Sequence, residues 1–572
     1  MKPKLVAFCR CQKIHDVRKN DCVILLETEE ENNYSLTIIQ KSLNLKLQGM
    51  QADGFKNYLK YWEDKPTESL YFYTNNAIYL QNQKFFDDVK VIADAFSLLR
   101  YHYNLPTELE KNFGSREDWE RLAVAVANTG SLEKTFCKEL QTDSFNLRLF
   151  KNFNSQEKFQ RWLLWIWCKL KNENFYFARC AKKSDSLEKF IEQIYLQIFD
   201  DDKNFSKTYE ERRKILFYMQ AEVSEKFIEK IRQSDKKFVL KILTDVSDGE
   251  KILFFEVLQK FKYANYDEVV EILQKNFHEL GNYLYDSEKI FSEEQREYFR
   301  RYRWLKVTNK LSEDFYNLVC EIAEDNGKNI YSMKTRNQIV AEEYLDESAI
   351  FFVDAMGAEY LNFLSKIFSA PDFKNFTVKY QVGYCNLPSI TECNKDFLVG
   401  KNIAAEILEL DKLKHATKNY PENILAELNF LSALKNKILS TLKNYKKIIL
   451  CADHGASRLA VLSRKTKFDK NFDGNGREVF YNGRFANILP NDTEKFHNFI
   501  EQDGKIIFAD YSRFIQRGGT GNEIHGGATL EEWLVPVISI ERNEKIFSSN
   551  KNKSTPTANK KRGISENKNF DI

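Results

Sequence analysis

The chain has no apolar run near the ~20 residues that a membrane-crossing helix needs. A membrane span is therefore excluded, and a cytoplasmic location is expected. Met1-Lys2-Pro3-Lys4-Leu5 is basic but leads into no long apolar stretch, so no export signal is expected. Cysteine is sparse: ten in 572 residues, scattered, which suits cytosolic thiols and not a disulfide framework. Charge of one sign is also lacking, with 86 basic and 83 acidic residues for a net +3. Ser548–Ile572 holds six basic and two acidic residues, so the rest of the chain nets −1. No global basic field calls for nucleic acid. Histidine is scarce, at seven, and four of these (His415, His454, His497, His525) lie in the last third.

What is present is globular. The chain is 43% hydrophobic and 30% charged, which excludes disorder throughout, and its length suggests two to four domains. The 45 Phe, 28 Tyr and 7 Trp read as core filling, with base stacking as the weaker alternative. Residues 1–90 mix strand-like runs with polar turns (Leu5–Phe8, Val23–Leu26, Leu70–Tyr73) and suggest a small α/β module. Cys9, Cys11, His15 and Cys22 match no common structural-zinc spacing. Residues 91–325 turn helical. Leu187, Phe190, Ile191, Ile194 and Ile198 fall on one face after the start signal Ser184-Asp185-Ser186. No reactive constellation is visible there.

From residue 326 to 547, short apolar runs alternate with helical patterns, implying βαβ units and a mostly parallel sheet flanked by helices. Expected strands are Ala349–Val353, Phe376–Tyr380, Ile448–Ala452, Ile506–Ala509 and Leu534–Ile540, with a long helix over Ile424–Leu439. Residues 548–572 read as a disordered basic tail.

Two of these strands end alike, one in Asp354 and the other in Asp453-His454-Gly455. Ligands bind beyond the carboxyl ends of parallel strands, and a carboxylate buried there without a partner is costly. One such Asp could be a helix cap; two, with a His attached, point to a metal site. Asp411 and His415, four apart, share one helix face and could clasp an ion, although Lys412 and Lys414 suggest a solvated surface. His525 sits before the paired glycines Gly526-Gly527, while His497 reads as a surface helix residue. The segment Leu387-Pro388-Ser389-Ile390-Thr391-Glu392-Cys393-Asn394 is either an ordinary capped loop or a hydroxyl nucleophile held at a helix start.

Taken in order, a strand-end Asp, Pro-x-x-Thr-x-x-Asn, Asp-x-x-x-His, Asp-His-Gly and His-Gly resemble the alkaline phosphatase superfamily, the nucleotide pyrophosphatase/phosphodiesterase branch most closely. The finer wording resembles the PglZ domain of bacterial BREX phage-defence systems, its compact length the type 4 version. It lies in Tyr302-Arg303-Trp304, in Phe352-Val353-Asp354-Ala355-Met356-Gly357-Ala358-Glu359-Tyr360, in Ala452-Asp453-His454-Gly455 and in His525 to Val537.

That resemblance, over about residues 300 to 541, implies an alkaline-phosphatase-like catalytic domain and a metal-dependent phosphatase or phosphodiesterase serving antiviral defence. It implies two divalent ions, Zn²⁺ foremost and Mn²⁺ second. Asp354, Thr391, Asp453 and His454 would hold one, and Asp411, His415 and His525 the other. Thr391 would be the nucleophile, forming a phospho-threonine, and Asn394 would donate a hydrogen bond to a non-bridging oxygen. Ser389 is the rival nucleophile. The implied partners are other BREX subunits and a phosphate ester, with a nucleic acid end among the candidates. The alternative is a scaffold that keeps the fold to dock those subunits with little turnover.

Overall fold

The computed structural model describes residues 2–7, 23–28, 36–43, 49–54, 57–58, 60, 69–75, 77–80, 89–200, 205–220, 222–287, 291–324, 332–416, 419–463, 467–469, 478–480, 483–515 and 521–543. The Cys9/Cys11/His15/Cys22 group and the basic tail lie outside the described residues.

The chain forms two compact units, Met1–Ser234 and Asp235–Ile572. The division falls inside the helical stretch that the sequence suggests as one region. Helices after Asp235 bond to the C-terminal half: Tyr283, Tyr298 and Lys306 reach buried carboxylates there.

In the first unit, strands β1 (Lys2–Ala7) and β2 (Val23–Thr28) pair antiparallel. Strands β3 (Leu36–Gln40), β4 (Met50–Asp53), β5 (Leu70–Thr74) and β6 (Val89–Ile92) form a parallel sheet in the order β4-β5-β3-β6. Helices follow from Ala95 onward. Helix Lys158–Lys169 buries Trp162, Trp165 and Trp167, and helix Leu187–Leu196 starts where Ser186 Oγ accepts the Lys189 N–H at 3.2 Å.

In the second unit, the main sheet contains β7 (Ser348–Val353), β8 (Phe376–Tyr384), β9 (Ile403–Ile407) and β10 (Lys447–Cys451). Short strands β11 (Lys467–Asp469) and β16 (Arg513–Ile515) pair parallel. Strands β12 (Val479–Phe480), β13 (Phe485–Asn487), β14 (Phe499–Gln502) and β15 (Lys505–Phe508) make a separate antiparallel sheet. Ile506–Ala509 is thus a strand outside the main sheet, against expectation; Phe508 packs with Phe468, Phe496 and Phe514 in a core of its own.

Strand β17 (Leu534–Arg542) completes the main sheet, whose order is β8-β17-β10-β7-β9. Strands β9, β7 and β10 are mutually parallel, and β17 runs against both β10 and β8. Four of the five strands therefore point one way. Strands β7 and β10 are buried at every position, as continuous apolar runs covered on both faces must be. Among the described residues no helix is long and apolar enough to cross a membrane.

Candidate metal centre at the carboxyl edge of the sheet

Strand direction assembles the site. β7 and β10 run parallel with Phe352 opposite Cys451, and continuing that register sets Asp354 beside Asp453. β9 leads into helix Glu409–His415, which carries Asp411 and His415 one turn apart. β8 points the same way and feeds the tight turn Thr391–Cys393. β17 is reversed, so the loop before it, with His525, returns to the same edge.

Two clusters result. In each, the ligand atoms lie within 4.8 Å of one another: Asp354, Asp453 and His454 in one, Asp411, His415 and His525 in the other. The His454 and His525 rings stack at 4.2 Å, so the clusters adjoin. Thr391 Oγ1 is 3.2 Å from His454 Nε2. His415 Nε2 and His525 Nε2 face each other at 3.0 Å, with Asp411 Oδ1 3.2 Å from the former and 3.9 Å from the latter.

The hydrogen bonds fix the imidazoles. His454 Nδ1 meets the Gly455 carbonyl at 2.9 Å, and His525 Nδ1 meets the Ser389 carbonyl at 3.2 Å. A carbonyl only accepts, so both Nδ1 atoms carry the proton and both Nε2 lone pairs point into the site. Asp453 Oδ1 accepts the N–H groups of Ala355 at 3.1 Å and His454 at 2.9 Å. Ala355, at φ 57°, turns its N–H toward that oxygen.

Asp354 Oδ1 and Asp453 Oδ2 are buried and have no hydrogen-bond partner. Burial, then the neighbouring charges of Asp453 and Asp411, pushes the Asp354 carboxyl up to about 8. Burial alone would raise Asp411, but the bond from His415 and the imidazoles around it hold it below the usual carboxylate range. That bond raises His415, whereas burial and then His454 drive His525 well down. Crowded carboxylate oxygens with no donors, facing imidazole lone pairs, fit a divalent cation in each cluster; oxygen and nitrogen donors without thiolate suit Zn²⁺ or Mn²⁺.

All seven ligand candidates from the sequence, Thr391 included, thus meet at one edge. Asp354 is not a helix cap, since the next helical turn is capped by Gly357. Three readings need correction. Asn394 is fully buried and its amide donates to the carbonyls of Asn386 at 3.0 Å, Pro388 at 3.3 Å and Ile390 at 3.0 Å. It holds the nucleophile loop closed and has no donor left for substrate. Ser389, the rival nucleophile, is fully buried; its Oγ donates to Gly527 O at 2.6 Å and accepts the Gly526 N–H at 3.0 Å, bracing the His525 loop. Lys414 is not solvated: it is buried against Glu523 and Glu359. His497 is exposed, just past the helix Asp492–Lys495, and Glu392 beside Thr391 is exposed too.

Sequence reasoning missed the supports. Arg336 is buried, donates to Asp453 O at 2.9 Å and reaches Asn394 Oδ1 at 3.4 Å, so it links a ligand strand to the nucleophile loop. A buried charge network joins Lys306, Lys414, Glu359, Glu427 and Glu523, with Tyr360 donating to Glu427 at 2.7 Å. Ser457 and Ile524 exchange backbone hydrogen bonds of 2.7 and 3.1 Å, tying the His454 segment to the His525 segment. The one signal available was the placement of Lys414 and Glu523 within two residues of candidate ligands.

Among known families, residues 99–261 match the model of a domain of unknown function (DUF7863). No curated protein matches the chain.

Proposed function

We propose that the chain is a metal-dependent phosphoester hydrolase of the alkaline phosphatase superfamily, with Thr391 as nucleophile, and that it serves as a PglZ-type component of a BREX defence system. The observation that carries the chemistry is the convergence of two carboxylate–imidazole clusters on one sheet edge with Thr391 Oγ1 3.2 Å from His454 Nε2. The defence role and its partner subunits rest on the sequence resemblance alone.

Two divalent ions, held by Asp354, Thr391, Asp453 and His454 and by Asp411, His415 and His525, would supply positive charge for the attacking and leaving oxygens of an in-line displacement. The chain's own groups do the rest. Thr391 gives its hydroxyl proton to solvent as Oγ1 attacks phosphorus; the Oγ–P bond forms, the bond to the leaving alkoxide breaks, and the alkoxide takes a proton from solvent, giving a phospho-threonine. Water then attacks that phosphorus, the Oγ–P bond breaks, phosphate is released and a proton from the water restores the threonine hydroxyl. The Nδ1–H bonds of His454 and His525 hold both Nε2 lone pairs on the site. Asn394 and Ser389 keep the Thr391 turn and the His525 loop in place while charge builds.

The test is hydrolysis of p-nitrophenyl phosphate and of its bis-ester by purified protein, with elemental analysis for bound metal. About two ions per chain, turnover abolished by chelation, and turnover lost in Thr391→Ala and Asp453→Ala are the expected results. A metal-loaded chain without turnover on either ester would favour the docking scaffold.

A further inference from the structure

Two cavities adjoin in the first unit, far in sequence from the metal-ligand candidates. One, of about 500 Å³, is lined by Phe145, Phe175 and Phe177 and by Lys171, Lys207 and Lys214. The other, of about 440 Å³, is lined by Gln141, Thr142, Arg148, Gln156 and Gln160 among others. Asn146 lines both, so they meet at that residue.

The rings are arranged as a platform. Phe177 is buried and lies near-parallel to Phe145 at 4.6 Å and to Phe175 at 5.3 Å. Phe175 is 43% exposed, so the stack reaches solvent at this ring. Lys171 and Lys207 stand 5.5 Å and 5.8 Å from the Phe145 and Phe175 centroids. Lys207 and Lys214, both exposed, sit two turns apart on one face of helix Phe205–Met219.

The charges select the occupant. The two cavities together present Lys171, Lys207, Lys214 and Arg148 against Glu210 and Glu211. Among the lining residues that is an excess of two positive charges, and Glu133 beside Lys171 reduces it to one. Lys171 also lies 3.6 Å from Glu133, while Glu211 turns inward to accept the Phe177 N–H at 3.2 Å. A methylammonium ligand, which aromatic cages take, would meet lysines at the rim. An apolar peptide would use the rings but leave the cations idle. An anionic strand of planar bases uses both: rings for stacking, and lysines with Arg148 for phosphates.

We propose that these adjoining cavities bind single-stranded nucleic acid, with a base stacked at Phe175 and the backbone along Lys207 and Lys214. The site is independent of the metal centre, and it gives the stretch matched by the domain of unknown function a binding role.

The experiment is fluorescence anisotropy with the full chain in EDTA and a fluorescein-labelled oligothymidine of about twelve nucleotides. Single-strand binding is expected, with the corresponding duplex binding more weakly. Phe175→Ala should weaken it about tenfold, as loss of one stacked base does. Lys207→Glu with Lys214→Glu should weaken it further and flatten the slope of log K against log salt by about 1.4, for two lost phosphate contacts. Hydrolysis of p-nitrophenyl phosphate by the metal-loaded Phe175→Ala chain should match the parent, which separates this site from the metal centre. Should Phe175→Ala fail to fold, the lysine pair carries the test alone. Absence of binding, equal or tighter binding of duplex, or affinity unchanged by both sets of substitutions overturns the proposal.

Discussion

Lys414 Nζ lies 2.6 Å from Glu523 Oε2, and neither side chain is exposed to solvent. Lys414 precedes His415, and Glu523 is two residues before His525. The pair is closed on the backbone as well, because the Glu523 N–H donates to Lys414 O at 3.1 Å. It therefore sets how far the helix carrying Asp411 and His415 stands from the loop carrying His525. Lys306 and Glu359 extend the same cluster to the helix and the turn beneath, with Lys306 3.1 Å from Glu359.

Without Glu523, Lys306 and Lys414 still face Glu359 and Glu427, so no charge is orphaned, but the charge-assisted bonds lost to the lysines are worth about 1.5–3 kcal/mol. Glu523→Gln should lower the unfolding free energy by an amount in that range. It should also weaken the ion held by Asp411, His415 and His525 by about 10–100-fold, the usual effect of removing a support behind a metal ligand. Zinc titration followed by calorimetry would read one strong site in place of two. Two sites of undiminished affinity would show that the pair serves packing alone.

Thr391 and Ser389 differ in what their hydroxyls do, and substitution separates them. Thr391 Oγ1 faces His454 Nε2, whereas Ser389 Oγ is used up between Gly526 and Gly527. Thr391→Ala should abolish ester hydrolysis while leaving the fold intact. Ser389→Ala should retain turnover at about one tenth to one hundredth of the parent, as a positioning change does. It should also lose about 1–3 kcal/mol of stability from the unsatisfied Gly526 and Gly527 groups. Steady-state assays beside urea unfolding would measure both. A dead Ser389→Ala beside an active Thr391→Ala would reverse the assignment.

Acid stability should report on Glu343. This carboxylate lies 2.7 Å from Lys447, beneath β10, and also bonds Lys379. Burial alone would raise it, but the two lysines outweigh burial and hold it down at about 2, below its ordinary 4.5. A depressed carboxylate stabilises the fold above its unfolded pKa, and the contribution fades as pH falls from about 4.5 toward 2. Lys379 is 56% exposed and screened, so the effect should be about 1–2 kcal/mol. Glu343→Gln should remove that part of the stability at pH 7 and flatten the loss on acidification. Unfolding curves at pH 7 and at about pH 3 would show parallel losses in parent and variant if the lysines contribute nothing.

The strand ends and their chemistry were legible because a parallel strand is a short apolar run with an abrupt polar end. Val353 into Asp354 and Ala452 into Asp453 have that form. Helical spacing likewise joined Asp411 to His415. The buried lysines were not legible. A lysine beside a ligand reads as solvent-facing until the acids that neutralise it are located, and Glu359, Glu427 and Glu523 are distant in sequence. Asn394 failed for a related reason: an amide beside a nucleophile serves substrate or loop with equal ease on paper, and only the carbonyls of Asn386, Pro388 and Ile390 decide. The separate sheet of β12 to β15 was missed because Ile506–Phe508 has the same texture as a main-sheet strand. The paired cavities in the first unit were hidden because their phenylalanines look like any core phenylalanines until one is found 43% exposed.

Gly455 follows His454 directly and leaves no space for a side chain. A Cβ there would stand 2.0 Å from Glu531 O and 2.8 Å from the Gly357 Cα. Both neighbours are backbone, and Gly357 itself comes three residues after Asp354, so the strain has no flexible side chain to absorb it. The Gly455 N–H also donates to Glu532 O at 2.9 Å, which keeps the close approach in place. Gly455→Ala should destabilise the chain by about 1–3 kcal/mol or more, as overpacking does. It should also displace His454, so uptake by the Asp354, Asp453 and His454 cluster should fall with stability. Gly400→Ala is the comparison: its Cβ meets nothing within 4 Å, although its φ of 72° makes an alanine strained there. It should cost about 1 kcal/mol from backbone strain alone and leave metal uptake and hydrolysis unchanged. Urea unfolding and zinc titration of the two variants side by side would distinguish crowding at the metal centre from ordinary loss of glycine. Equal zinc affinity in both would mean that the contact between these three backbones does not set the position of His454.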